Sequence, residues 1–302
     1  MKSWLRLLRI SLAPSAAADP FAGLVYASAG FPADPAAYWL IPASLGVYHG
    51  ALALNDWNDR EHDGRTRPGR PIPSGAVSPR AALLLGIALI VLGLACAYLA
   101  APSSAAWMGV VALLAVLYDF VGRGAWLGPT LLGLCRAGNM GAGVHWALQA
   151  SGSPLEPSLA FLPALLYGVY VGVVSVLGRL EDGEDSGPLG RRPAILLAGA
   201  GLALTAIPLA IDHAYLPARF AALALALAGA YALLRTARAT RDWTRADVER
   251  SMGLALRRLL VASAVVALLA LRPGSWDGAI AAALILLGYP LAHGLRRAFP
   301  PS

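Results

Sequence analysis

Long apolar runs separated by short polar segments fill the chain from one end to the other. Each run is about 17–22 residues long, the length that an α-helix needs to cross the hydrocarbon core of a bilayer. The ten runs are 10–30, 37–57, 79–100, 104–120, 128–149, 158–180, 193–211, 217–235, 255–271 and 277–295. No linker divides them. The pattern predicts a single all-α domain over residues 1–302, a polytopic membrane bundle of nine to ten transmembrane helices.

The composition agrees with a membrane-embedded chain. Of the 302 residues, 58% are hydrophobic and 14% are charged, whereas a soluble domain carries roughly 25% charged residues. The net charge of +7 comes from arginines in the segments between apolar runs, so it predicts membrane lipids as neighbours and no nucleic-acid partner.

The basic residues are distributed very unevenly between the two sides of the predicted bundle. Of the 24 Lys and Arg residues, 21 fall on the side that holds both termini. Only Arg219 and Arg272 fall on the other side, and Arg136 lies within a run. The positive-inside rule therefore places both termini in the cytoplasm and the protein in the inner (cytoplasmic) membrane. The arginine-rich stretch 235–258 predicts an interfacial helix at anionic headgroups.

A cluster of oxygen-bearing side chains closes the second run on the cytoplasmic side. Asp56, Asp59 and Asp63 are spaced i, i+3 and i+7, so on a helix they share one face, and Asn55 lies one turn before Asp59. Such a cluster at a membrane boundary is costly unless a cation lies among its members. Mg²⁺ binds one or two protein carboxylates and keeps positions for water and phosphate oxygens. The cluster predicts a magnesium site.

A basic, proline-rich loop over residues 65–75 follows this cluster and contains Arg67 and Arg70. Guanidinium groups bind phosphate oxygens with paired hydrogen bonds. An acidic cluster followed by a basic loop predicts a site for Mg²⁺ and a diphosphate.

A second acidic cluster closes the sixth run on the same predicted side. Glu181 and Asp185 are spaced i, i+4 and share a helix face, and Arg191 and Arg192 follow. The chain thus contains an acidic helix end and a basic loop twice, a loose internal duplication. Two facing acidic ends could hold two or more Mg²⁺ ions around one diphosphate. The alternative for this second cluster is an ordinary solvated loop.

The motif Asn55-Asp56-x-x-Asp59-x-x-x-Asp63, with the arginine-proline loop after it, resembles the first signature of the UbiA-type intramembrane prenyltransferases. The resemblance implies helices packed around a central cavity, a polyprenyl diphosphate bound through Mg²⁺, and prenyl transfer to a small-molecule acceptor, often an aromatic ring. It implies that Asn55, Asp59 and Asp63 hold one metal ion, and that Asp56 contacts substrate.

The second motif departs from the family pattern, which usually has two aspartates spaced i, i+4. Here Glu181 and Asp185 occupy the matching positions and are expected to hold the second metal ion, with Gly183 between them. The aspartates of the first motif and these two residues are the expected catalytic carboxylates. The altered motif also leaves an alternative open: a protein that binds a prenyl lipid without transferring it and serves export or assembly of a metabolite.

Three polar residues fall inside apolar runs. Arg136 and Asn139 are spaced i, i+3 in the fifth run, and Asp19 precedes Pro20 in the first. Charged residues there normally face a cavity or a partner. We expect Arg136 and Asn139 to line the substrate cavity, with Arg136 binding a diphosphate oxygen or an acceptor carboxylate, and Asp19 to face the interior and contact the substrate. The alternative for Arg136 is a structural ion pair with Asp19 or Asp119.

The fourth run ends with Tyr118, Asp119 and, four residues later, Arg123. The spacing fits a helical salt bridge between Asp119 and Arg123. The family resemblance instead implies that Arg123 contacts phosphate and that Tyr118 lies at the substrate.

Overall fold

The computed structural model of the protein describes residues 1–122, 124–150, 153, 155–182, 189–212 and 214–299, and its regular elements are helices. Two 3₁₀ turns, Ile10–Leu12 and Pro35–Trp39, accompany them. The α-helices are α1 Lys2–Leu7, α2 Ala13–Ser28, α3 Leu40–Asn58, α4 Arg60–Thr66, α5 Pro79–Ala100, α6 Pro102–Phe120, α7 Leu127–Ala150, α8 Pro157–Ala160, α9 Leu162–Asp182, α10 Arg192–Leu209, α11 Leu216–Ala239, α12 Arg245–Leu268 and α13 Asp277–Ala298.

Each of the ten apolar runs coincides with one long helix, and the all-α membrane fold is confirmed. Within the described residues, seven helices are long and apolar enough to cross a membrane, namely α5, α6, α9, α10, α11, α12 and α13. Helix α2 has only 16 residues, and α3 and α7 carry buried polar residues that lower their apolar content. The structure therefore supports seven spans by length and composition, where nine to ten were expected.

The start of α12 corrects the expectation of a separate interfacial helix. The Thr244 hydroxyl accepts a hydrogen bond from the Asp247 amide (3.2 Å), and the Asp247 carboxylate accepts one from the Thr244 amide (2.9 Å). This reciprocal cap fixes the first turn, and α12 then continues unbroken to Leu268. The stretch 235–258 is divided between the end of α11 and the first half of α12.

Helix α2 lies in the middle of the bundle, in contact with α3, α7, α12 and α13. Glycines bring several helix backbones into direct contact. A Cβ atom on Gly46 of α3 would lie 2.7 Å from the Leu89 carbonyl oxygen of α5, and one on Gly143 of α7 would overlap the Pro20 carbonyl oxygen of α2. Small residues permit such close approach in membrane helix packing. The polar side chains of α2, α3 and α7 are thereby held in fixed relative positions.

Candidate active site

The first acidic motif lies at the junction of α3 and α4. The Asp59 amide donates to the Asn55 carbonyl (2.9 Å), and the Asp63 amide donates to the Asp59 carbonyl (2.8 Å), so the helical path continues through the junction. Asn55, Asp59 and Asp63 are therefore one turn apart along one side. All three line a single cavity of about 620 Å³, which we call the motif cavity.

Cationic side chains surround the same cavity. Arg67 and Arg70 of the basic loop line it, as do Arg9, Arg179 and the uncharged Tyr118. The structure thus brings together, around one cavity, the acidic motif, the basic loop and Tyr118, which the sequence placed near one another. Arg123, the other candidate from this region, lies outside the described residues.

Two arginines neutralise the two most buried carboxylates of the motif. Arg70 pairs with Asp63 at 2.5 Å and approaches Asp56 to 3.7 Å, while Arg9 pairs with Asp56 at 2.8 Å. Asp56 and Asp63 are only 2% and 3% exposed, so they require compensating charge. Asp56 is not among the residues that line the motif cavity. Its contacts are with the arginines that do line it.

Asp119 fixes the orientation of Asn55. The Asn55 side-chain nitrogen donates to the Asp119 carboxylate (3.0 Å), and the Asn58 side-chain nitrogen donates to the Asp119 carbonyl (2.9 Å). Because the nitrogen of the Asn55 amide faces Asp119, its carbonyl oxygen points to another side. Oxygen is the atom that Mg²⁺ prefers. The sequence singled out Asp119 as a candidate partner for Arg123 or Arg136, and this positioning contact with Asn55, across 64 residues, was missed.

Glu181 of the second motif lies next to the first motif, across a wall of arginine side chains. It lines a neighbouring cavity of about 340 Å³, and Arg9 and Arg70 line both cavities. The two acidic helix ends are therefore at the same end of the bundle, as expected. Asp185, the partner expected for Glu181, lies outside the described residues.

The polar residues predicted within α2 and α7 form one buried network. Arg136 pairs with Asp19 (Nε–Oδ2 3.0 Å), and Asn139 donates to the same carboxylate at 3.1 Å. Tyr167 and Ser263 donate hydroxyl hydrogen bonds to it at 2.9 and 3.1 Å. Asp19 is fully buried. The structural ion pair, one of the two alternatives for Arg136, is thus present, and Tyr167 and Ser263 are members that sequence reasoning missed.

The donor set of the motif cavity fits Mg²⁺. An amide oxygen and two carboxylates, from Asn55, Asp59 and Asp63, line the cavity beside arginines that suit phosphate oxygens. In the described part of the chain no three His, Cys, Asp or Glu side chains converge into a metal-enclosing group. The two carboxylates that line the motif cavity suit an ion that takes one or two carboxylates and shares its remaining positions with water and a diphosphate.

Comparison with known proteins identifies the class. Residues 20–257 match the model of the UbiA prenyltransferase family, and the chain belongs to that family. A digeranylgeranylglyceryl phosphate synthase from Methanothrix thermoacetophila is 30% identical over 236 residues, which cover 72% of this chain and 83% of that protein. A 4-hydroxybenzoate octaprenyltransferase from Aeromonas salmonicida is 29% identical over 170 residues, covering 55% of this chain and 57% of that one.

Solved structures share the fold at low sequence identity. A UbiA homologue from Archaeoglobus fulgidus bound to GPP and Mg²⁺ aligns with a TM-score of 0.58 and 16% identity, over 87% of this chain and 99% of that one. A digeranylgeranylglyceryl phosphate synthase structure aligns with a TM-score of 0.55 and 19% identity over 98% of each chain. The chain is thus a multi-pass membrane protein with the UbiA fold.

Proposed function

We propose that this prenyltransferase uses Mg²⁺ to bind a polyprenyl diphosphate in the motif cavity and transfers the prenyl group to a small-molecule acceptor at the membrane. One observation carries the proposal: Asn55, Asp59 and Asp63 line a single cavity together with Arg67 and Arg70. Hard oxygen ligands beside paired guanidinium groups suit a metal diphosphate better than any other common ligand.

Each group has a chemical role in this scheme. Asn55, Asp59 and Asp63 would hold one Mg²⁺, and Glu181 with Asp185 a second. Bound Mg²⁺ supplies charge neutralisation for the leaving diphosphate.

Arg67 and Arg70 would bind the phosphate oxygens of the donor, and Arg123 is retained as a further candidate for this role. Asp56 would orient Arg9 and Arg70 through its ion pairs. Tyr118 would donate a hydroxyl hydrogen bond at the rim.

In the reaction, the allylic C–O bond breaks and both its electrons leave with the diphosphate. A nucleophilic atom of the acceptor forms the new bond to the prenyl carbon, and the acceptor then loses a proton. The guanidinium groups contribute where negative charge develops, which is where electrostatic stabilisation has its largest effect. The prenyl tail would enter from the bilayer. The buried Arg136, Asn139 and Asp19 do not line the motif cavity and would hold α2 against α7 rather than contact the diphosphate.

We place the site on the cytoplasmic side of the inner membrane, within one domain over residues 1–302. The asymmetry of basic residues supports this side, and so does the position of Glu181 beside Arg9 and Arg70 at the same end of the bundle. The relatives named above supply two acceptor chemistries to try: 4-hydroxybenzoate and a prenylated glyceryl phosphate.

The decisive test is donor binding by Asp59→Asn. Calorimetric titration of the purified full chain with geranyl or geranylgeranyl diphosphate should show Mg²⁺-dependent binding in the wild type. In Asp59→Asn, which removes one ligand charge, binding should weaken about 100-fold, as expected when a metal loses a carboxylate ligand. Asp34→Asn, at an exposed turn distant in sequence, is the control. Unchanged Mg²⁺-dependent binding in Asp59→Asn would refute the metal assignment.

Turnover separates transfer from simple binding. Wild-type protein incubated with Mg²⁺, a donor series and both acceptor chemistries should release pyrophosphate. If prenyl lipids co-purify with the protein while no acceptor yields pyrophosphate, the binding-only alternative replaces the transferase scheme.

A further inference from the structure

The cavity of about 340 Å³ that contains Glu181 has a wall of its own, formed by α12 and α13. We call it the α12–α13 cavity. Arg257, Leu256 and Leu260 of α12 line it, and so does Arg296 of α13. It therefore combines cationic groups with an apolar surface, which suits a ligand that has a charged head and an apolar body.

Two guanidinium groups converge over a glycine in this cavity. A Cβ atom placed on Gly253 would lie 3.5 Å from Nη1 of Arg296 and 3.7 Å from Nη1 of Arg257. Apart from its chain neighbours and the backbone of its own helix, no other described atom would lie within 4 Å. Because Gly253 has no side chain, the space above it is open, and two guanidinium hydrogen-bond donors border that space. We call this space the cradle. A small anionic group seated over Gly253 would meet both donors at once.

The charges of this pair are not compensated by the described part of the chain. Neither Arg257 nor Arg296 forms an ion pair with any carboxylate in the described ranges. Glu249 lies one turn before Gly253 on α12 and borders the same cavity, yet it too forms no such pair there. Like charges held close together repel one another, and an anion between them removes the repulsion.

The position of the cavity points to the second substrate. Arg9 and Arg70 separate it from the motif cavity and line both. The α12–α13 cavity contains neither Asn55 nor the aspartates of the first motif, and Glu181 is the one proposed metal ligand among the described residues that borders it. A ligand bound there lies directly beside the donor.

We propose that the α12–α13 cavity binds the acceptor through an anionic head group, a carboxylate or a phosphate, held by Arg257 and Arg296 over Gly253. The apolar body of the acceptor lies along Leu256 and Leu260. The assignment rests on the proposed function, because a transferase with its donor in the motif cavity needs a neighbouring site for the acceptor. It restricts the acceptor to anionic amphiphiles and aromatic acids.

The test uses ligand pairs that differ in the anionic group alone. Lysophosphatidate is compared with the corresponding monoacylglycerol, and 4-hydroxybenzoate with 4-hydroxybenzyl alcohol, by calorimetry on the full chain in nonionic detergent. Arg257→Gln and Arg296→Gln should each weaken binding of the anionic probes about tenfold, the effect of losing one charge-assisted hydrogen bond. Binding of the neutral probes should not change.

Two further variants make the test specific. Gly253→Leu fills the cradle without removing charge and should abolish binding of the anionic probes. Arg297→Gln removes the neighbouring arginine, which is exposed like Arg257 and Arg296 but does not line the cavity, and should leave binding unchanged. Thermal unfolding of each variant confirms that it is folded.

The outcomes separate the head-group assignment from the proposed function. Anionic-probe binding that survives both Arg257→Gln and Arg296→Gln would overturn the assignment. So would parallel loss of Mg²⁺-dependent donor binding in those variants, because the cavity would then belong to the donor site. Inorganic phosphate that binds as tightly as lysophosphatidate would indicate a free-phosphate site and also overturn it. Absence of Mg²⁺-dependent donor binding in the wild type would instead refute the proposed function.

Discussion

Removal of the Asp19 charge should destabilise the protein severely. The Arg136–Asp19 pair has an Nε–Oδ2 distance of 3.0 Å, and at an effective dielectric constant of 20 this corresponds to a Coulomb energy of about 5.5 kcal/mol. Desolvation of the two ions offsets much of that gain. In Asp19→Asn the Arg136 charge stays buried without a counter-ion, and the free energy of unfolding should fall by about 3–5 kcal/mol.

The hydrogen bonds around Asp19 allow a sharper version of this prediction. Asn139 also donates to the Ala16 carbonyl, and Ser263 also donates to the Leu259 carbonyl, so both keep a partner when the carboxylate is removed. The Tyr167 hydroxyl loses its acceptor. The double variant Asp19→Leu/Arg136→Met should therefore lose only about 1–3 kcal/mol, the penalty for one unsatisfied buried hydroxyl.

Addition of Tyr167→Phe to the double variant should recover most of that remaining loss, because it removes the hydroxyl that lost its acceptor. The measurement is reversible unfolding of the wild type and all variants in mixed detergent and dodecyl sulfate micelles. If the double variant is as unstable as Asp19→Asn, the loss does not come from an uncompensated charge. Retained donor binding in the triple variant would show that the network stabilises the fold without contacting the diphosphate.

Three further predictions concern the site and its orientation. Arg70→Gln removes the cation that pairs with the buried Asp63 and should lower the free energy of unfolding by about 3 kcal/mol, whereas Arg70→Lys should lose less; equal melting temperatures for both would contradict this reasoning. In a cysteine-free background, an impermeant thiol reagent applied to intact cells should label a cysteine at Ser275 and spare one at Thr66, and the reverse pattern would invert the proposed topology. Glu181→Gln should lower the turnover rate far more than donor affinity, since metal stabilisation of the leaving group acts mainly in the transition state, and Glu181→Asp should retain activity; intact turnover in Glu181→Gln would make the second cluster a solvated loop.

Hydropathy predicted the positions of the long helices well because each apolar run has the length of a bilayer crossing. It was less informative for α2, α3 and α7, whose sequences serve the site as well as the membrane. Asp19 and Arg136 are polar residues in helices that nevertheless pack at the centre of the bundle. Short periodic patterns describe single helices, and they contain no information about which helices meet.

In the candidate site, too, local spacing predicted the features within one helix but not the contacts between segments. Local spacing placed Asn55, Asp59 and Asp63 along one side, and the structure has them at one cavity. Spacing also grouped Asp56 with them, but Asp56 pairs with Arg9, 47 residues earlier. That contact depends on how the N-terminal segment packs across the end of α3, a long-range feature that one sequence does not reveal. The convergence of Arg257 and Arg296 over Gly253 is hidden for the same reason, because it joins two helices.

The buried pair of Asp19 and Arg136 also determines the order in which α2 and α7 can become stable in the membrane during synthesis. The two residues are 117 positions apart, and at a synthesis rate of about 5–20 residues per second the ribosome adds that stretch in roughly 6–23 s. Until α7 emerges, α2 carries a carboxylate with no cation beside it, and exposure of such a group to lipid at a helix centre costs about 2.5–3.5 kcal/mol on insertion scales. Helix α2 therefore gains its stable place in the bilayer only after the insertion machinery has delivered α7, and the two helices enter the membrane core as partners.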